Sequence, residues 1–157
     1  MKQLLLLLVS ISLFSCNQID SKGAQGKWLK GSTEDQIKSI ENQFRGFDKT
    51  MVEIGHRYEQ LYWAGQDENW KYASYQLNKM DAAIEDGLER RPKRAKSADH
   101  FISQVIPNVE EAIKKKDSAA FNKNFATMVI NCNSCHLNEK VPFIHVKIPV
   151  NRLSSIR

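Results

Sequence analysis

Ile37, Ile40, Phe44, Phe47, Met51, Ile54, Tyr58 and Leu61 follow one another at alternating spacings of three and four. That period belongs to one face of an α-helix and has no meaning in a strand, where side chains alternate every second residue. A chain carrying such a stripe must bury it against other helices. Thr33 with Gln36 three residues on resembles a capping box, so helix A is expected from residue 34, with Gly65 and Asp67 stopping it.

The helical period then continues. Helix B is expected from Asp67 to Arg91, with Trp70, Ala73, Leu77, Met80, Ile84 and Leu88 on one face and Pro92 at its end. Helix C starts near Ser97 and carries Phe101, Val105, Val109, Ala112 and Ile113, with Pro107 expected to kink or divide it. Asp117 or Ser118 caps helix D, whose face is Phe121, Phe125, Met128, Cys132 and Cys135. No sustained alternating run precedes the C-terminal tail. With short A–B and C–D connections, the expected fold class is all-α, an antiparallel four-helix bundle.

The N-terminal segment is different. Lys2 is followed by an uncharged, mostly apolar run from Leu4 to Phe14, too short to span a bilayer and patterned as a secretory signal peptide. Leu13-Phe14-Ser15-Cys16 resembles a bacterial lipobox, in which cleavage precedes a cysteine that then carries a diacylglyceryl group. Acyl chains at ~0.8 kcal/mol per buried methylene make a firm anchor when two or three act together. The alternative is an ordinary secretory signal ending near a cysteine. The expected organisation is a signal peptide over 1–15, lipidated Cys16 with a Gly-, Ser- and Lys-bearing tether over 16–33, a helical domain over 34–150 and a tail over 151–157. The formal net charge of +5 on 157 residues is too modest and too scattered to indicate nucleic acid. The densest basic run, Arg90 to Lys96, reads as a solvated loop or as a contact for an acidic group.

Cys132-Asn133-Ser134-Cys135-His136 is the C-x-x-C-H signature of covalent c-type haem attachment. Two thiols three residues apart on a helix can reach both vinyl groups of a porphyrin, and the adjacent imidazole then lies by the iron. A thioredoxin-like pair would normally open a helix after a strand. A four-ligand zinc site needs a second ligand pair, and no suitable spacing supplies one. With Cys16 assigned to lipid and Cys132 and Cys135 to haem, no cysteine is left for a disulfide.

A haem motif near the C-terminus of a fourth helix resembles the class II c-type cytochromes, the cytochrome c′ and c-556 group. More narrowly, Leu61-Tyr62-Trp63-Ala64-Gly65, Asn69-Trp70, Ala73, the haem motif, Pro142-Phe143 and Pro149 resemble a family of exported bacterial monohaem proteins. The resemblance covers roughly residues 40 to 150. It implies one covalent haem c held by Cys132 and Cys135, with His136 as the proximal iron ligand.

The distal face follows from height in the bundle. Counting down helix A from its shared end near Gly65 by the length of helix D reaches Arg45 or Gly46, which selects Phe47 and Met51 on the inward stripe. Met51 could ligate iron or serve as core filler; Phe47 could only cover it. Phe44 lies below that level and Tyr58 about two turns above. His56 falls off the stripe, while His100 and His145 could approach the haem edge or face solvent. Met80, Ile84, Leu88, Phe101, Val105, Phe125 and Met128 are expected around the macrocycle. Arg45 and the Arg90–Lys96 loop could pair with propionates. The apolar tail from Val141 to Pro149 is expected to pack across the bundle end and shield one haem edge.

These readings imply an exported, membrane-anchored lipoprotein facing the periplasm or cell surface. Electron transfer is the first expectation, with a redox protein as partner. Gas binding at a five-coordinate haem comes second, and catalytic turnover a distant third, because no well-placed distal acid or base other than Tyr58 is evident. A structural partner-binding lipoprotein is the non-haem alternative. The expected partners include the lipid membrane through Cys16 and exclude nucleic acid, with a homodimer left open.

Overall fold

The computed structural model describes residues 26–156. The signal segment, Cys16 and the first part of the tether lie outside the described residues. The helices are α1 (Thr33–Phe44), α2 (Phe47–Gln66), α3 (Trp70–Arg90), α4 (Ala95–His100), α5 (Ile106–Lys115) and α6 (Ser118–Asn138). A 3₁₀ turn, Pro92–Arg94, precedes α4, and a π-helical turn, Phe101–Val105, joins α4 to α5. Among the described residues there is no strand, and no helix is long and apolar enough to cross a membrane.

Helix A is not one helix. α1 ends at Phe44, Arg45 takes a left-handed φ of 58°, Gly46 is extended, and α2 starts at Phe47. A left-handed residue cannot continue a right-handed helix, and Gly46, with no side chain to fix it, offers little resistance to a break. Ile37, Ile40 and Phe44 of the stripe therefore belong to α1, in a compact unit that ends at Phe44, while the chain from Arg45 onward forms a second unit. Within its own unit α1 is capped one residue earlier than Thr33. Ser32 Oγ donates to Asp35 at 2.7 Å, and the Asp35 amide donates back to Ser32 Oγ at 3.2 Å.

In the second unit α2 packs on α3 and α6, and α5 packs on the same two helices. Gln66 donates to Asn122 at 2.7 Å and Ser118 donates to Glu68 at 2.8 Å, so the α2–α3 turn sits beside the start of α6. α2 and α6 therefore run in opposite directions. Asn69 and Asp117 cap α3 and α6 through side-chain acceptors, as their residue types favour. Leu61, Leu77, Met80, Phe121, Phe125 and Met128 are fully buried in one core. Each contributes about 1.5–3 kcal/mol of burial.

One sequence-based boundary shifts. Gly65 does not stop α2, which runs through it to Gln66; a Cβ there would lie 2.0 Å from Phe121, so the missing side chain makes room for that ring. Helix C is divided as expected, with the break just before Pro107, which stands in the first turn of α5. The proline's missing N–H and ring bulk fall against the preceding turn, where the π-helical residues Phe101–Val105 widen the coil before α5 continues.

The tail also departs from expectation. It starts at the His136 end of α6 but then runs lengthwise beside α2 instead of only crossing the bundle end. Tyr58 donates to the Lys147 carbonyl at 2.8 Å. Further on, Arg152 donates to the Trp63 carbonyl at 3.1 Å, pairs with Asp67 at 2.7 Å and stacks over the Trp63 ring. Phe143 remains 81% exposed, so the tail's apolar residues are only partly sheltered.

Candidate functional site

The last turns of α6 set Cys132, Cys135 and His136 on one helical face, because positions three and four apart are neighbours there. That face meets the first turns of α2. The two helices run in opposite directions, which brings the end of one to the beginning of the other. Between them lies a cavity lined by Phe47, Met51 and Ile54 of α2, Ile84 of α3, Ala98, Phe101, and the three motif side chains. Its empty space, including the open side, is about 430 Å³. Every wall residue outside the motif is apolar.

The three motif side chains differ in state. Burial pushes the Cys132 thiol up to about 12, with Cys135 adding to the effect. Cys135 is also raised by burial, while Ser97 and Arg94 pull it back. Both thiols are held protonated, the opposite of the low-pKa cysteine of a redox pair. They form no disulfide. His136 Nδ1 lies 2.7 Å from the Ile144 carbonyl oxygen. A carbonyl can only accept, so Nδ1 carries a proton and Nε2 is the ring nitrogen left to offer a lone pair to a metal. Among the described residues no group of three or more His, Cys, Asp or Glu side chains gathers as a metal cluster.

Phe47 is fixed from behind. A Cβ on Gly87 of α3 would come within 2.5 Å of Thr50 and 2.9 Å of Phe47, so α3 approaches this part of α2 as closely as a glycine permits. Arg90 reaches across the same contact to Thr50 Oγ1 at 3.0 Å. At the Cys135 side, Arg94 and Ser97 both engage Glu139. Arg45 pairs with Asp48 at 2.7 Å.

Of the residues read from the sequence, Phe47, Met51, Ile84 and Phe101 stand on the cavity wall with the motif. Met80, Phe125 and Met128 do not; they are fully buried in the bundle core and pack helices together. Val105 is likewise in the core, and Leu88 packs at its edge. Tyr58 is buried against Phe125 with its hydroxyl turned to the tail, and burial, with Cys132 nearby, pushes that hydroxyl up. His56, His100 and His145 are exposed. Ile54 and Ala98 were not singled out. Ile54 sits one turn beyond Met51 on the same stripe and was legible by that spacing, whereas a lone alanine carries no signal. Asn133 occupies a variable position of the motif, and its partners, which lie in the tail, leave no signal in the spacing. Compared with protein-family models, with curated proteins and with solved structures, the chain finds no match.

Proposed function

We propose that this chain is a monohaem c-type cytochrome of the class II kind, an antiparallel four-helix bundle anchored through lipidated Cys16 and passing single electrons outside the cytoplasm. The observation that carries the reading is the convergence of Cys132, Cys135 and His136 on one apolar cavity, with Nδ1 of His136 engaged and Nε2 left as a ligand. This donor set fits haem: two thiols for thioether bonds, one imidazole for the iron, and an apolar wall for a porphyrin face. When bound, haem c supplies a one-electron redox centre. Cys132 and Cys135 would hold it, and His136 would ligate its iron. The remaining wall residues, from Phe47 to Phe101, exclude water. Met51 is the one wall residue outside the motif with a lone-pair donor, which favours it as the residue that would give the iron a second protein ligand.

One observation favours a second reading. Phe47 shares the wall and is held against α3 at Gly87, so it could cover an open iron position and restrict its ligands to small gases. The absorbance spectrum separates the two. If Met51 ligates, the reduced protein is low-spin and takes up no carbon monoxide, while Met51→Ala becomes high-spin and binds it readily. A high-spin wild type that binds carbon monoxide gives the site to gas binding. A low-spin spectrum unchanged in Met51→Ala assigns the second ligand elsewhere, and protein without haem after maturation in a haem-attaching host leaves a partner-binding lipoprotein.

A further inference from the structure

Asn133 lies inside the haem motif, yet its side chain faces away from the chemistry and grips the tail. Its Nδ2 donates to the Val146 carbonyl at 2.9 Å, and the Val146 amide donates back to its Oδ1 at 2.8 Å. One primary amide thus replaces both partners that a neighbouring strand would offer Val146. The next residue, Lys147, accepts the Tyr58 hydroxyl at 2.8 Å, and Tyr58 itself is only 8% exposed. Two residues before Val146, the Ile144 carbonyl accepts the Nδ1 proton of His136 at 2.7 Å.

Residues 144–147 therefore form a strap fastened at three places, two of them by side chains that never reach the cavity. The tail has no helix or strand from residue 145 onward to place its backbone otherwise. Ile144 is 51% exposed, so packing anchors it only in part. Its backbone is held from both sides: before it the Val141 amide donates to the His136 carbonyl at 2.8 Å and the Ile144 amide to the Val141 carbonyl at 3.0 Å, and after it come the two side-chain fastenings. We infer that Asn133 and Tyr58 are positioning residues for His136, holding the strap so that the Ile144 carbonyl fixes the imidazole's tautomer and ring plane and strengthens it as a donor. The functional meaning of this clamp rests on the haem reading. The clamp itself rests on the hydrogen bonds alone.

A stronger imidazole donor stabilises the oxidised iron, and outer partners of a metal-bound histidine commonly matter as much as this. Loosening the strap should weaken that donation and raise the midpoint potential. The test uses the full-length protein and the variants Asn133→Ala and Tyr58→Phe. Asn131→Ala serves as control, because Asn131 donates within α6 to Thr127 at 2.9 Å and does not touch the tail. Asn133→Ala should speed hydrogen exchange at the Val146 amide by roughly tenfold or more, the scale of two lost hydrogen bonds, and raise the potential. Tyr58→Phe should do both to a smaller extent, and it keeps the test open if Asn133→Ala folds poorly. The control should change neither.

Faster exchange with an unchanged potential would overturn the positioning role and leave a simple tail clip. Unchanged exchange would overturn the clamp. If the wild type carries no haem, the functional proposal fails, and nitrogen NMR of ¹⁵N-histidine-labelled full-length chain decides the clamp by itself. A protonated Nδ1 on His136 that becomes mixed in Asn133→Ala upholds it, and the same tautomer in both rejects it.

Discussion

Asp81 of α3 has a buried Oδ1 with no hydrogen-bond partner, and Glu85 and Glu110 stand nearby. Burial first, and those two carboxylates next, raise its pKa above the ordinary value. The folded state thus holds this proton more tightly than the unfolded chain. Its penalty is absent at pH below the unfolded carboxylate value and is fully present once pH has risen through the folded one. Asp81→Asn should therefore raise the melting temperature at neutral pH, with the gain fading on acidification. Because much of the side chain meets solvent, the gain stays below about 1 kcal/mol. Equal gains at acid and neutral pH would contradict this cause. Asp81 shows why some residues are mute in a sequence, since its stress comes first from burial, which only the packed bundle creates, and Glu85 of the same helix and Glu110 of another add to it. Cys132, Cys135 and His136 were legible for the opposite reason. Their spacing within one helix turn already places two thiols and an imidazole on one face, whereas Asn133 takes its meaning from Val146 in the tail.

Three glycines in the helices of the second unit separate propensity from packing. A Cβ on Gly55 would meet nothing within 4 Å, so Gly55→Ala should stabilise the protein by about 0.5–1 kcal/mol through helix propensity. Gly65→Ala should destabilise it, because its Cβ would meet the Phe121 ring at 2.0 Å and overpacking typically costs about 1–3 kcal/mol, more than propensity returns. Gly87→Ala adds a consequence at the site, since Thr50 and Phe47 must both give way. Urea unfolding of the three variants checks the order; a stabilised Gly65→Ala would show that Phe121 can repack freely. The element boundaries repeat the contrast between local and distant causes. Asn69, Asp117 and Pro92 mark ends by their own chemistry and were legible or nearly so. The left-handed residues that close α1, α2, α5 and α6 are Arg45, Glu68, Lys116 and Lys140, none of them glycine. Such a conformation costs a non-glycine residue roughly 1–2 kcal/mol, and no residue type announces it. A continuous stripe consequently hid the break at Arg45.

On the scale of the molecule, helical periodicity and short connections were enough for an all-helical bundle, and counting residues down two antiparallel helices was enough to bring Phe47 and Met51 to the motif. The same count could not distinguish a cavity wall from a core. Met80, Phe125 and Met128 share the level but fill the interior, because rotation about each helix axis decides the side and height does not. The tail was the least legible part. Its course depends on Asn133, Tyr58 and Asp67, which reach it from distant positions in the chain through single hydrogen bonds and ion pairs. The proposed function requires covalent haem at Cys132 and Cys135. Its most direct test is denaturing electrophoresis with haem staining of protein matured in a haem-attaching host. The stain should remain with the wild-type chain, since thioether bonds do not depend on the fold, and should be lost in the Cys132→Ala, Cys135→Ala double variant. A correctly matured wild type that releases its haem on denaturation would contradict the account.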